Sequence, residues 1–126
     1  MKRATFYITN HQGKFQLGMK SKQQLVLLQG KCFDTERECE KFIDILRLHM
    51  RFQTNFNRTK SRNGRYGFQI RTCWDDLIAE SLWYNNRADR EAAMQEAFDA
   101  NSDAVFTHTT MYDDAQTTYA SLQVVA

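Results

Sequence analysis

The chain has 126 residues, of which 42% are hydrophobic, 25% charged and 13% aromatic. This composition is typical of one compact domain, or of two small units fused into one, and not of an intrinsically disordered chain. The longest apolar run, Leu25 to Leu28, is too short to span a bilayer, and no signal-peptide stretch follows the N-terminal Met-Lys-Arg. We therefore expect a cytoplasmic protein without membrane contact.

The charges are unevenly distributed, although the formal net charge is only +2. Residues 1–71 hold fifteen Lys and Arg against five Asp and Glu, whereas residues 72–126 hold two against ten. A basic first half can attract nucleic acid or another polyanion. Alternatively, the two halves pack together and their opposite fields cancel.

The first half of the chain reads as strands followed by a helix. Thr5–Thr9 is rich in β-branched and aromatic residues, and apolar side chains then alternate over residues 14–20. Leu25–Leu28 is a third, buried strand. Thr35 and Glu38 form a capping box at the start of a helix. The apolar stripe of that helix is Cys39, Phe42, Ile43 and Leu46.

The second half repeats this order. Alternation over residues 66–70 and the short run Leu77–Ala79 predict two strands, and Asn86 with Asp89 caps a second helix. Residues 51–57 and 104–110 are expected to form a strand after each helix. Residues 117–126 are apolar enough to add a late strand. The stripe of the second helix is Ala93, Met94, Ala97 and Phe98.

An internal repeat accounts for this order. A shift of 51 positions superimposes residues 13–43 on residues 64–94 without a gap. Gly13 then falls on Gly64 and Glu40 on Glu91. Other matched pairs are Lys14 with Arg65, Phe15 with Tyr66, Met19 with Ile70, Ser21 with Thr72 and Phe33 with Tyr84.

The sequence therefore predicts an α+β fold made of tandem β3-α-β repeats that are related by a pseudo-two-fold axis. The repeats share one core, in which two helices pack on an antiparallel sheet. We assign residues 1–57 to the first repeat, 58–110 to the second and 111–126 to a C-terminal tail, all within one fused body. The chain is expected to be a monomer with an internal repeat or a homodimer.

These motifs resemble the YegP-like family, small bacterial proteins of uncharacterised function. The matching residues are Gly64-Arg-Tyr-Gly-Phe-Gln-Ile-Arg71, Leu77-Ile-Ala-Glu-Ser81, Tyr84 and Glu91–Met94. The resemblance implies two units of three strands, a helix and a strand, and it implies no catalytic residues. Where the family has small turn residues, this chain has Lys22-Gln-Gln24 and Cys73–Asp76. This divergence suggests adaptation to a partner and leaves room for a specialised role, for instance in a phage.

Cysteine and carboxylate patterns favour no chemistry. Cys32, Cys39 and Cys73 have neither the spacing of a zinc site nor a linked histidine, and Cys39 is expected in the core. Glu40 and Glu91 could pair across the pseudo-two-fold axis or lie on helix surfaces. The acidic clusters Asp75-Asp76, Asp113-Asp114 and Asp99 with Asp103 lack the loop spacing of a cation site.

No phosphate-binding loop or catalytic motif is present in the sequence. We therefore expect a protein that is not an enzyme, with no catalytic residues, no cofactor and no metal. Its expected function is that of an interaction module that presents a surface to a protein partner. Trp74, with Asp75 and Asp76, is the candidate partner-binding site, because Trp at a turn tip is costly to expose unless it meets something.

The alternative function is weak, sequence-tolerant nucleic-acid binding. The segment from Arg51 to Arg71 holds six basic residues and four aromatic residues without any Asp or Glu. If the aromatic residues face the core instead, only a basic loop over residues 58–65 remains. The candidate contacts are Arg58, Lys60, Arg62 and Arg65.

Overall fold

The computed structural model describes residues 3–112, with seven strands and two helices of fourteen residues in that range. The predicted strand at Thr117–Ala126 and the Asp113-Asp114 pair lie outside the described residues. The elements are β1 (Thr5–His11), β2 (Lys14–Lys20), β3 (Val26–Phe33), α1 (Glu36–His49), a 3-10 helix (Gln53–Asn55), β4 (Phe56–Lys60), β5 (Tyr66–Arg71), β6 (Leu77–Glu80), α2 (Arg87–Ala100) and β7 (Val105–Tyr112).

The strands form one sheet in the order β4-β5-β6-β3-β2-β1-β7. The predicted α+β class is confirmed, but the sheet is not wholly antiparallel, because β7 runs parallel to β1. The backbone N–H of Val105 donates to the carbonyl of Ala4 over 3.1 Å. The chain therefore enters β7 where β1 begins, and it runs in the same direction as β1.

The strand expected at residues 51–57 is wrong in position. The N–H of Phe52 and the side-chain amide of Asn55 both donate to the carbonyl of His49, over 3.3 and 2.9 Å. These bonds hold the segment against the end of α1, so the strand starts only at Phe56. That strand, β4, pairs with β5 rather than closing the first unit, and the domain boundary assigned after residue 57 falls within it.

Both predicted helix starts are confirmed. The Thr35 hydroxyl accepts the N–H of Glu38 at 3.2 Å, and the Asn86 side chain accepts the N–H of Asp89 at 2.8 Å. The α1 stripe is buried as predicted, whereas in α2 Ala93 and Ala97 are buried with Arg90. Neither described helix is long and apolar enough to cross a membrane.

One hydrophobic core joins the two helices to the sheet. Phe6, Ile8, Leu17 and Met19 are almost completely buried in it, together with side chains of β4, β5 and β6. The helices are also linked to each other near their C-terminal ends, where Arg47 and Asn101 exchange two hydrogen bonds of 3.1 and 3.0 Å. The sheet and the two helices therefore form one body.

On the opposite face of the sheet, Tyr7 covers Gly18. The two residues are paired across β1 and β2, and burial raises the pKa of Tyr7 to about 12. A Cβ atom at Gly18 would lie 2.8 Å from Cε1 of Tyr7, which is closer than van der Waals contact permits. Gly18 thus provides the space in which the tyrosine ring lies.

We expect Gly18→Ala to displace the Tyr7 ring and to destabilise the protein by about 1–3 kcal/mol, the usual cost of overpacking. Gly30→Ala is the matched control, because its Cβ would meet Leu17 at an ordinary 3.4 Å. Urea denaturation of the two variants measures the difference. Equal stabilities would show that the tyrosine moves aside without cost.

Candidate functional site

The turn that carries Trp74 is tightly hydrogen-bonded. It spans Thr72–Asp76 between β5 and β6, and the Thr72 hydroxyl accepts the N–H groups of Trp74 and Asp76 at 3.1 and 3.2 Å. Backbone bonds join Thr72 to Asp75 and Asp76, and Asp75 has a positive φ of 66°. An aspartate tolerates this conformation better than most residues. The backbone of the turn is therefore held in one shape.

Trp74 projects from this turn with 84% of its surface exposed. Arg71, at the end of β5, donates to the carbonyl of Asp75 over 2.9 Å and so braces the base of the turn. Cys73, Asp75 and Asp76 are exposed beside the indole. The structure thus brings the three predicted partner-binding residues together on one rigid, exposed turn.

A turn of the same construction joins β2 to β3. Ser21 accepts the N–H groups of Gln23 and Leu25 at 3.1 and 3.2 Å, and Gln24 has a φ of 70°. Gln23 occupies the place that Trp74 has in the other turn. The backbone does not require an aromatic residue there, so the fold offers no structural reason for Trp74.

Two of the four aromatic residues of the basic segment are core residues. Phe56 and Phe68 are 8% and 1% exposed, and their rings stack at 6.1 Å. Tyr66 is half-buried. The prediction that the aromatic side chains face the core is confirmed for Phe56 and Phe68, which cannot stack on bases, whereas Phe52 is 55% exposed.

Arg58, one of the predicted nucleic-acid contacts, forms a bidentate ion pair. Its guanidinium donates to both carboxylate oxygens of Glu91 on α2, over 2.8 and 2.7 Å. Arg90 donates to the same carboxylate over 3.0 Å. These arginines lower the pKa of Glu91 to about 2, with the Arg58 hydrogen bond as the largest cause. Glu91 is therefore an ion-pair partner on the surface.

Three cations surround the ring of Tyr66. Lys60, Arg87 and Arg90 lie 5.4, 5.7 and 5.2 Å from its centroid. Arg87 and Arg90 are the two basic residues of the acidic half of the chain. Three further arginines lie nearby in the sequence: Arg58 in β4, and Arg62 and Arg65 in the turn between β4 and β5. We call the six basic residues together the cationic patch: Arg58, Lys60, Arg62, Arg65, Arg87 and Arg90.

Sequence reasoning missed the contribution of α2 to the cationic patch. A signal was present, because residues three apart share one face of a helix and Arg87 and Arg90 are so spaced. The acidic half both adds cations to this face and neutralises Arg58. Here the acidic half supplies two cations and, through Glu91, one ion-pairing carboxylate.

The described residues hold no group of three or more His, Cys, Asp or Glu side chains that could bind a metal ion. Cys39 is fully buried, and burial raises the pKa of its thiol to about 12, as expected for a core cysteine rather than a nucleophile. Cys32 and Cys73 are exposed free thiols. The carboxylate of Asp99 accepts the side-chain amide of Gln95 at 2.8 Å on the helix surface.

The fold is similar to two structures solved by NMR in solution. The protein of unknown function YegP from E. coli superimposes with a TM-score of 0.72 and 16% identity, over 91% of this chain and 97% of its own. A UPF0339 protein from Shewanella oneidensis gives 0.71 and 13%, over 86% and 90%. No protein-family model matches the sequence, and no curated protein matches it significantly. The resemblance to YegP-like proteins is thus confirmed for the fold.

We expect the Glu91 carboxyl to titrate near pH 2 and its pKa to rise toward 4.5 in Arg58→Ala. Because the pKa is lowered on folding, the ion pair stabilises the protein above pH 4.5 and loses this contribution as the pH falls to 2. Both side chains are largely exposed, so the contribution is below about 1 kcal/mol. Carboxyl NMR titration measures the pKa, and a wild-type value near 4.5 would contradict the ion pair.

Proposed function

We propose that this chain is a non-enzymatic interaction module that presents the Trp74 turn to a protein partner. The observation that carries the proposal is the 84% exposure of Trp74 on a turn whose backbone is already ordered. Tryptophan is enriched among residues that dominate binding energy, because it buries a large area. A preordered turn also loses little conformational entropy on binding.

The neighbours of Trp74 indicate the chemistry of the partner. Asp75 and Asp76 are exposed on the same turn, and Arg71 already contacts Asp75. An apolar pocket with a basic rim is complementary to this arrangement. We place the interaction in the cytoplasm, since the exposed free thiols of Cys32 and Cys73 are typical of a reducing compartment.

Nucleic-acid binding is the second candidate function. The observation that favours it is the convergence of Arg87 and Arg90 with Lys60 around Tyr66, which extends the basic segment onto α2. Because Phe56 and Phe68 are buried, binding would depend mainly on phosphate contacts and would be salt-dependent and sequence-tolerant.

We also propose that the fold consists of two related units with a pseudo-two-fold axis, joined in one monomeric chain. Three observations support this: α1 and α2 start 51 positions apart and have equal length, and the Ser21 and Thr72 turns share their hydrogen bonds. The third is the central pair Gln29 and Glu80, whose positions also differ by 51.

The partner-binding proposal is tested with Trp74→Ala. We expect this variant to weaken binding of the partner about 30-fold, which corresponds to the loss of roughly 2 kcal/mol at an interface hot spot. Its melting temperature should change by no more than about 2 °C, because surface substitutions have small effects on stability. Differential affinity capture identifies the partner, and titration with the purified partner gives the ratio.

Trp83→Ala is the matched control, since Trp83 is 44% exposed but packs against Gly67 on the sheet. It should lose stability and retain the partner. If wild type and both variants captured the same proteins equally, the Trp74 turn would not be the partner-binding site. A large loss of stability in Trp74→Ala would place that side chain in the core.

The nucleic-acid proposal is tested by anisotropy titration with labelled duplex DNA at several salt concentrations. Four or five phosphate contacts predict a slope of log affinity against log salt near about −4. Replacing Arg62, Arg65 and Arg87 with Ala should remove three phosphate contacts, reduce the magnitude of the slope by roughly 3 and leave the fold intact. Absence of binding at tens of micromolar protein and low salt would refute this function.

A further inference from the structure

The strand β4 is one edge of the sheet, and its outer side follows from the hydrogen bonds of β5. Tyr66 and Tyr84 exchange backbone hydrogen bonds of 2.8 and 2.6 Å, and the N–H of Ser81 donates to Phe68 at 2.9 Å. The backbone groups of Tyr66 and Phe68 therefore point toward β6. Because these groups alternate along a strand, Gly67 between them points toward β4.

Gly67 is paired with Thr59 in β4. The backbone groups of Thr59 therefore point toward β5, and those of its neighbours Arg58 and Lys60 point away from the sheet. Within residues 3–112, no strand pairs with this side of β4. The edge thus offers main-chain donors and acceptors to an added strand.

At the opposite edge of the sheet, β7 shows how an added strand can pair and pack. There β7 runs parallel to β1, and Phe106 is paired with Phe6 and packs against the core. Phe6 is the residue of β1 that pairs with Met19. In the second half of the chain, Ile70 occupies the position 51 residues after Met19, and its partner in β4 is Phe56.

Phe56 is therefore the counterpart of Phe6, but among residues 3–112 no strand lies on the outer side of β4 to place a counterpart of Phe106 beside it. Instead there is a groove of about 490 Å³ between β4 and α2. Its apolar wall contains Phe56, Met94 and Phe98, and its polar residues include Gln53, Arg58 and Glu91. The groove is where the counterpart of Phe106 would lie.

The charge of this edge selects the partner. Lys60 and Arg62 are exposed at its end, and the cationic patch continues onto α2. If β4 of a second copy paired with this edge, its Arg58 and Lys60 would face Arg58 and Lys60 of the first copy. Like charges in such cross-strand positions repel each other. A strand with carboxylates is attracted instead.

We propose that the β4 edge binds an extended acidic segment of a partner protein, which adds a strand parallel to β4 and inserts an aromatic side chain into the groove beside Phe56. Main-chain pairing supplies affinity in this mode, and the groove and the cations supply specificity. This surface is separate from the Trp74 turn and does not depend on the function proposed for it.

The probe is a fluorescein-labelled peptide, EVFTHTTE, which is the sequence of residues 105–110 between two glutamates. We expect it to bind the full chain, and replacement of its phenylalanine by alanine should weaken binding at least about tenfold. Lysines in place of the two glutamates should weaken binding about fivefold at low salt and less at high salt. Equal affinity of the three peptides would overturn the proposal.

Two variants of one residue separate main-chain pairing from charge. Lys60→Pro removes the outward N–H and should weaken binding at least about tenfold. Lys60→Ala keeps that N–H and should weaken it no more than about threefold. Equal losses would overturn the strand pairing. If Lys60→Pro unfolds, amide NMR of the wild type with the peptide remains decisive.

In that NMR measurement, the largest shifts should fall on Phe56–Lys60. A nitroxide at the peptide N-terminus should broaden the amide signals near Phe56, and one at the C-terminus those near Lys60. Reversed broadening would refute the parallel orientation. Shifts confined to Thr5–His11 would show that the peptide replaces β7 beside β1. Dimerisation of the chain without peptide, measured by sedimentation, would show that a second copy occupies the β4 edge. Either result overturns the proposal.

Discussion

The seven strands form one sheet because β3 pairs with β6, and this contact is short. Two residue pairs, Gln29 with Glu80 and Gly30 with Ala79, join the two halves of the sheet. Backbone bonds over so few residues stabilise the contact only in combination with the core that lies across it. The core extends under both helices and so holds the two halves together.

The two outer edges of the sheet differ, and this difference decides which surfaces remain for partners. One edge of the first half is covered, since β7 returns there from α2 and pairs with β1. Among residues 3–112 no strand covers the corresponding edge at β4. This edge carries cations, which natural proteins use to discourage accidental strand pairing. A cationic edge that repels the β4 edge of a second copy can still pair with a partner strand of opposite charge.

The sequence by itself determined the elements whose signals are local. The period of two over residues 14–20 and the stripe that includes Cys39 and Leu46 depend only on which residues follow one another, as do the caps at Thr35 and Asn86. The same is true of the core position of Phe68, since alternation along one strand fixes which side chains share a face. These predictions were confirmed, along with the α+β class.

Only the tertiary structure decided how distant segments meet. The start of β4 at Phe56 depends on bonds back to His49, and the parallel course of β7 depends on where the chain re-enters the sheet beside Ala4. The cationic patch likewise requires α2 to lie over Tyr66 and to bring Arg87 and Arg90 against the basic segment. The contacts of β7 and α2 join residues tens of positions apart, and their formation depends on the packing of the whole core, which no local pattern encodes.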